Sequence, residues 1–144
     1  MKVNEAMSRD VSIASPGETI QEAAWLMASL DVGSLPVGED DRLVGMLTDR
    51  DIAVRGVAKG KGPQTPVREI MSPEVKYCYE DQEIDEVTRN MADIQVRRLP
   101  VVNRAKRLVG ILALGDVAVT TTDGAAQQAL SGISRPGGAH SQTP

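Results

Sequence analysis

Phenylalanine is absent from this 144-residue chain, and Trp25, Tyr77 and Tyr79 are its only aromatic side chains. Platforms on which single-stranded nucleic acid could stack are therefore scarce. A net charge of −4 gives no excess of positive charge for a phosphate backbone, so nucleic acid is not an expected partner. Cys78 is the only cysteine and His140 the only histidine. No intrachain disulfide is possible, and no thiolate–imidazole spacing for a metal is visible, so the expectation is a reduced, metal-free protein. No apolar run reaches the roughly 18 residues of a membrane helix, and no membrane association is expected. The opening Met1-Lys2-Val3-Asn4-Glu5 carries no apolar leader, which makes the cytoplasm the expected location. A Gly-rich phosphate loop, a dinucleotide fingerprint and a nucleophile-plus-base set are all missing, so catalysis is the least supported function class.

What the chain does have is a duplication. Arg42-Leu43-Val44-Gly45 returns as Arg107-Leu108-Val109-Gly110, and Leu35-Pro36-Val37 returns as Leu99-Pro100-Val101. Met7-Ser8 recurs at Met71-Ser72, and Asp51-Ile52-Ala53-Val54 at Asp116-Val117-Ala118-Val119. One unit of about 55 residues is written twice; two copies are too few for an open solenoid, so two pseudo-symmetric halves packed face to face are expected.

Hydrophobic spacing orders the elements within each copy. Val11-Ser12-Ile13 and Val75-Lys76-Tyr77 read as short opening strands. Thr19 and Glu22 form a capping-box pattern before a helix with Ile20, Ala23, Ala24, Met27 and Leu30 on one face. The second copy repeats this with Ile84, Val87, Met91 and Ile94 from a weaker start at Gln82-Glu83. Strand pairs follow at Ser34–Val37 with Leu43–Leu47, and at Arg98–Val102 with Leu108–Leu112. A second helix is predicted to begin near Thr48 or Ala113. The fold class is thus α/β (α+β), each copy reading βαββα. Residues 1–62 form the first copy with its linker and 63–121 the second, with a short helix after Thr65-Pro66. Residues 122–144 form an appended helix over 123–133 and a polar tail. Trp25 sits off the apolar stripe, either in the core or between subunits.

Chemistry concentrates at Gly45-Met46-Leu47-Thr48-Asp49-Arg50-Asp51. Thr48 is a predicted N-cap, so first-turn backbone N–H groups beside its hydroxyl would suit a phosphate. Asp51, one turn on, suits the two hydroxyls of a ribose. Arg50 between them suits a charge-assisted phosphate contact. The same residues also describe an ordinary capped helix whose carboxylates complement its dipole. In the second copy Asp116 is kept, but Ala113 replaces the hydroxyl and Gly115 replaces Arg50.

The paired Leu-Pro-Val, Leu-Val-Gly and Gly-x-x-Thr/Ser-x-x-Asp patterns over residues 1 to 120 closely resemble tandem cystathionine β-synthase (CBS) domains of the small, stand-alone bacterial type. The resemblance implies a non-catalytic sensor, often dimeric, that binds AMP, ADP, ATP, NAD or S-adenosylmethionine, AMP foremost, and signals to an effector protein. It implies ribose ligands at Asp51 and Asp116 and a ribose or phosphate ligand at Thr48. Adenine would lie among Val11, Ser12, Ile13, Val32, Leu35 and Pro36. Arg97 and Arg98 match a basic pair near phosphates, or else belong to a solvated face. A ligand-independent dimerisation scaffold with vestigial clefts is the alternative function.

Overall fold

The computed structural model describes residues 1–115 and 117. Asp116, the helix expected over 123–133 and the polar tail lie outside the described residues. In chain order the elements are α1 (Val3–Ala6), α2 (Ile20–Leu30), β1 (Ser34–Glu39), β2 (Arg42–Thr48), α3 (Asp49–Asp51), β3 (Cys78–Tyr79), α4 (Ile84–Ile94), β4 (Arg98–Val102) and β5 (Leu108–Ala113). Contacts divide the chain into two compact units. One is Ser12–Val75; the other joins Met1–Val11 to the chain from Lys76 onward.

In the 12–75 unit, the Thr19 hydroxyl accepts the Glu22 N–H at 3.1 Å and starts α2. Only this forward half of the predicted capping box forms. Ile20, Ala23 and Met27 bury one stripe, as their spacing requires. Leu30, predicted on the same stripe, lies 43% exposed beside the left-handed Asp31 that ends the helix. Strands β1 and β2 pair antiparallel around a two-residue turn in which Asp40 and Asp41 both have positive φ, 53° and 63°. Leu35, Val37 and Leu47 point inward to join Ala14, Val67 and Ile70. Burying each such aliphatic chain contributes roughly 1.5–3 kcal/mol.

The other unit repeats this plan. Helix α4 buries Ile84, Val87, Thr88, Met91 and Ala92 and ends at Gln95, left-handed like Asp31. The buried Thr88 hydroxyl donates to the carbonyls of Ile84 and Asp85, so no polar atom there is left unpaired. Strands β4 and β5 pair antiparallel, Leu99 opposite Leu112. Their turn is organised by Asn103, whose side-chain oxygen accepts the N–H groups of Ala105 and Arg107 at 3.0 Å each.

The predicted opening strands are displaced. Among the described residues only Ala14 bridges Val37 in the first copy, and β3 begins at Cys78, parallel to Val101 of β4. The small residues Ala14 and Cys78 are the ones that fit against the neighbouring strand, at 0% and 2% exposure. Val11, Ile13 and Tyr77 remain half-buried outside the ladder. The helix predicted after Thr65-Pro66 is a single tight turn, Val67–Glu69. Thr65 does not cap it; its hydroxyl instead donates back to the Gly62 carbonyl at 2.7 Å.

The beginnings of the two copies are exchanged. Ser72, which opens the second copy, exchanges two backbone hydrogen bonds with Met46 of the first copy's β2, at 2.8 and 2.9 Å. Ser8, which opens the first copy, does the same with Ile111 of β5, both at 2.9 Å. Compact units and sequence copies are therefore out of phase by one short segment. The close approach needs a bare backbone. A Cβ on Gly45 would lie 2.7 Å from the Met71 sulfur and 2.9 Å from the Ser72 carbonyl oxygen. On Gly110 it would lie 2.6 Å from the Met7 sulfur and 2.8 Å from the Ser8 oxygen. Gly45→Ala and Gly110→Ala are each expected to lower the free energy of unfolding by about 1–3 kcal/mol, because the flexible thioether yields but the carbonyl does not. Urea denaturation of the two variants checks this; unchanged midpoints would show that the segments do not hold this close approach.

Candidate functional site

Strand β2 delivers Thr48 to the junction with α3, where its extended backbone (φ −114°, ψ 160°) stops the helix from starting earlier. The Thr48 hydroxyl accepts the Asp51 N–H at 2.9 Å, and the Asp51 Oδ2 accepts the Thr48 N–H at 3.0 Å. This reciprocal box locks both side chains in place. It also decides what each has left. The Thr48 hydroxyl keeps its proton to donate, and Asp51 Oδ1 accepts nothing among the described residues. Both residues are half-buried. Arg50 between them is exposed, and its guanidinium pairs with no carboxylate among the described residues.

The first-turn donors expected to cradle a phosphate are already used. The Asp49 N–H donates to the Gly33 carbonyl at 3.0 Å, and the Arg50 N–H donates to Asp49 Oδ1 at 2.8 Å. With the Asp51 N–H on Thr48, all three are satisfied within the chain. The helix is also short, giving way after Asp51 to a widened turn over Ile52–Gly56. An anion at this place would depend on side chains, chiefly Arg50 and the Thr48 hydroxyl. Gly33 is pressed against the Asp49 carboxylate, 3.2 Å from where a Cβ would stand. No sequence pattern announces these bonds, since the hairpin itself brings Gly33 to Asp49.

The residues proposed around adenine separate into two groups. Leu35 is 2% exposed, with its side chain in the core, and Pro36 is buried as well. The Pro36 carbonyl accepts the Ala14 N–H at 3.0 Å. Ser12, Ile13 and Val32 are half-buried in the same unit, and Ile13 lies against Gly38. Val11 is half-buried and belongs to the other unit. At the second junction the Leu114 N–H donates to the Arg97 carbonyl at 3.1 Å, matching the Asp49–Gly33 bond. Arg97 and Arg98 are exposed there, and Arg98 stands opposite Ala113 in register. Asp116 would complete that junction and lies outside the described residues.

A family model for the CBS domain matches residues 3–56 and again residues 67–120. The chain belongs to the CBS domain family. It is similar to the CBS domain-containing protein YhcV of Bacillus subtilis, 47% identical over 92% of this chain and 94% of that protein. The crystal structure of Hypoxic Response Protein I, whose namesake in Mycobacterium tuberculosis is a 38% identical relative, superposes with a TM-score of 0.76. That match covers 85% of this chain and all of the other, which holds two coordinated zinc ions. CBSX2 in complex with AMP matches at TM-score 0.72 and 25% identity, over 82% of this chain and 93% of that one. The CBS pair of protein MJ0100, with 5′-methylthioadenosine and S-adenosyl-L-methionine, matches at 0.70 and 28%, over 83% and 94%.

The zinc ions correct one expectation. Scarcity of cysteine and histidine suggested a metal-free module, yet Hypoxic Response Protein I, to which this chain is similar, coordinates two. Spacing motifs miss such sites because zinc also takes carboxylates and side chains distant in sequence. In this CBS pair, no three His, Cys, Asp or Glu side chains gather into a metal-binding group among the described residues. The one thiol fits a metal poorly: burial pushes the Cys78 pKa up to about 12, which suppresses the thiolate a metal needs. His140 lies outside the described residues. Cys78 is accordingly expected to resist a thiol-reactive disulfide reagent near pH 8 in the native protein, and to react fully once urea unfolds it. Rapid native labelling would show that the thiol is open to solvent.

Proposed function

We propose that this CBS pair is a non-catalytic regulatory module of the cytoplasm, a homodimer that binds an adenosine-containing ligand at Thr48 and Asp51. Ligand binding would alter its contact with an effector protein. The observation that carries the reading is the free Oδ1 of Asp51, held in place by the reciprocal box and left to accept hydroxyl protons of a ribose. Ser12, Ile13 and Val32 would supply contacts to adenine, with the backbone around Leu35 and Pro36. Arg50 and the Thr48 hydroxyl would hold a phosphate. Asp116 with Arg97 and Arg98 would make the second, weaker site, weaker because Ala113 offers no hydroxyl. Adenosine ligands in two similar CBS pairs support the ligand class. A regulatory effect requires the ligand to favour one arrangement of the protein over another.

The box itself supports a second reading. It satisfies the junction with no ligand present, as a ligand-independent dimerisation scaffold would need. Asp51→Asn separates the two. An asparagine oxygen can still accept the Thr48 N–H, but the outward acceptor becomes an amide donor. By calorimetry, AMP and 5′-methylthioadenosine should each bind Asp51→Asn about 10- to 100-fold more weakly than the wild type. Arg50→Ala should weaken AMP alone. Equal affinity in wild type and Asp51→Asn would sink the site. If no adenosine compound raises the melting temperature, the scaffold reading stands; ligand at about 100 times its dissociation constant would add about 2.7 kcal/mol.

A further inference from the structure

The helix that starts at Thr48 changes character one residue past Asp51. Over Ile52–Gly56 its turns close five residues back rather than four. At the end of this stretch the Val57 N–H is shared. It donates to the Ala53 carbonyl, four residues back, and to the Ile52 carbonyl, five back. Widened turns of this kind are rare and concentrate at functional sites. A shared donor marks a segment standing between two registers, the ordinary helical one and the widened one. Arg55 lies in this segment, four residues after Asp51. It is exposed, and its guanidinium pairs with no carboxylate among the described residues. Its Nη1 donates instead to the Met71 carbonyl at 3.3 Å.

We infer that Arg55 regulates the Thr48–Asp51 site by competing with the ligand for Asp51 Oδ1, a device that rests on the ribose reading above. In the ordinary helical register four residues advance about 400°, which brings the fourth almost directly over the first. Asp51 and Arg55 are then an acid and a base one turn apart, acid first, the spacing and order that favour an ion pair. The guanidinium would cover Oδ1 and close the site. The widened register spreads an extra residue over the turn. Arg55 then swings clear to Met71, and Oδ1 stays open. A ribose on Asp51 selects the widened register, because only there is the oxygen available. Arg50 cannot compete in this way, since adjacent residues face different sides of a helix. Closing the site also releases the Met71 carbonyl, next to the Ser72 that holds β2. The competing cation belongs to one copy alone. Asp51-Ile52-Ala53-Val54-Arg55 corresponds to Asp116-Val117-Ala118-Val119-Thr120, which ends on a threonine.

The uncharged nucleoside 5′-methylthioadenosine separates this contact from the electrostatics of phosphate. Its binding to the full chain is measured by calorimetry at low and at high salt. Arg55→Gln keeps a donor for the Met71 carbonyl but cannot neutralise Asp51. It should bind the nucleoside about two- to threefold more tightly than the wild type at low salt, the worth of one helical ion pair. At high salt the two should converge, because screening dissolves the pair in the wild type. Arg55→Lys keeps the charge and should follow the wild type. If Arg55→Gln binds no more tightly than the wild type at low salt, the competition is overturned. Loss of affinity in Asp51→Asn within the same series would then leave the site itself standing. Tighter binding that persists at high salt, or Arg55→Lys behaving like Arg55→Gln, reveals a packing effect and overturns the competition too. Should neither the wild type nor Arg55→Gln bind any adenosine compound, the site and its regulation fall together.

Discussion

Each sheet is finished by a segment that the sequence places at the start of the other copy. Ser72 bonds to Met46 and Ser8 to Ile111, and both contacts depend on a glycine beneath them, Gly45 or Gly110. An edge strand with unpaired N–H and C=O groups invites pairing with another chain. Here one bridge pins each of β2 and β5, two residues before the helix junctions at Thr48 and Ala113. Met7 and Met71 lie over the glycines, where an unbranched thioether fits a gap that a branched side chain would overfill. The placement of Thr48 follows from this, because it ends the strand that Ser72 pins.

At the junction one short motif serves stability and, in the proposed function, recognition as well. Four atoms close the box between Thr48 and Asp51, and the same closure fixes which oxygen and which hydroxyl proton face outward. A capping side chain contributes about 0.5–2 kcal/mol to a helix start. A loss of binding on mutating Asp51 would therefore mix two effects unless the replacement keeps the cap. The spent donors at Asp49, Arg50 and Asp51 shift weight from the helix terminus to side chains. In the proposed site, adenosine compounds would be distinguished by what Arg50 meets.

Much of this was legible in the sequence. The helices followed from the spacing of Ile20, Ala23 and Met27 and of Ile84, Val87 and Met91. The hairpins followed from Leu-Pro-Val and Leu-Val-Gly. The Thr48–Asp51 pair was legible too, because N-caps are written locally. What escaped depends on partners brought together by folding. Alternation of Val11 and Ile13 suggested a strand, but burial selected Ala14. The Gly33 carbonyl takes the Asp49 N–H only because the hairpin closes between them. The exchange of openings had one available sign, a glycine at the same place in both buried strands, which marks a close backbone approach.

The exchange also sets an order of assembly during synthesis. The 12–75 unit has its strands and the covering Ser72 in hand once Val75 has been made. Ser8 is made before that unit yet meets its partner only after it, since Ile111 follows Ser8 by 103 positions. At about 5–20 residues per second, that leaves the amino-terminal segment waiting some 5–20 s on the ribosome. During that interval Ser8 has no β5 to join, while the strands of the 12–75 unit are already complete.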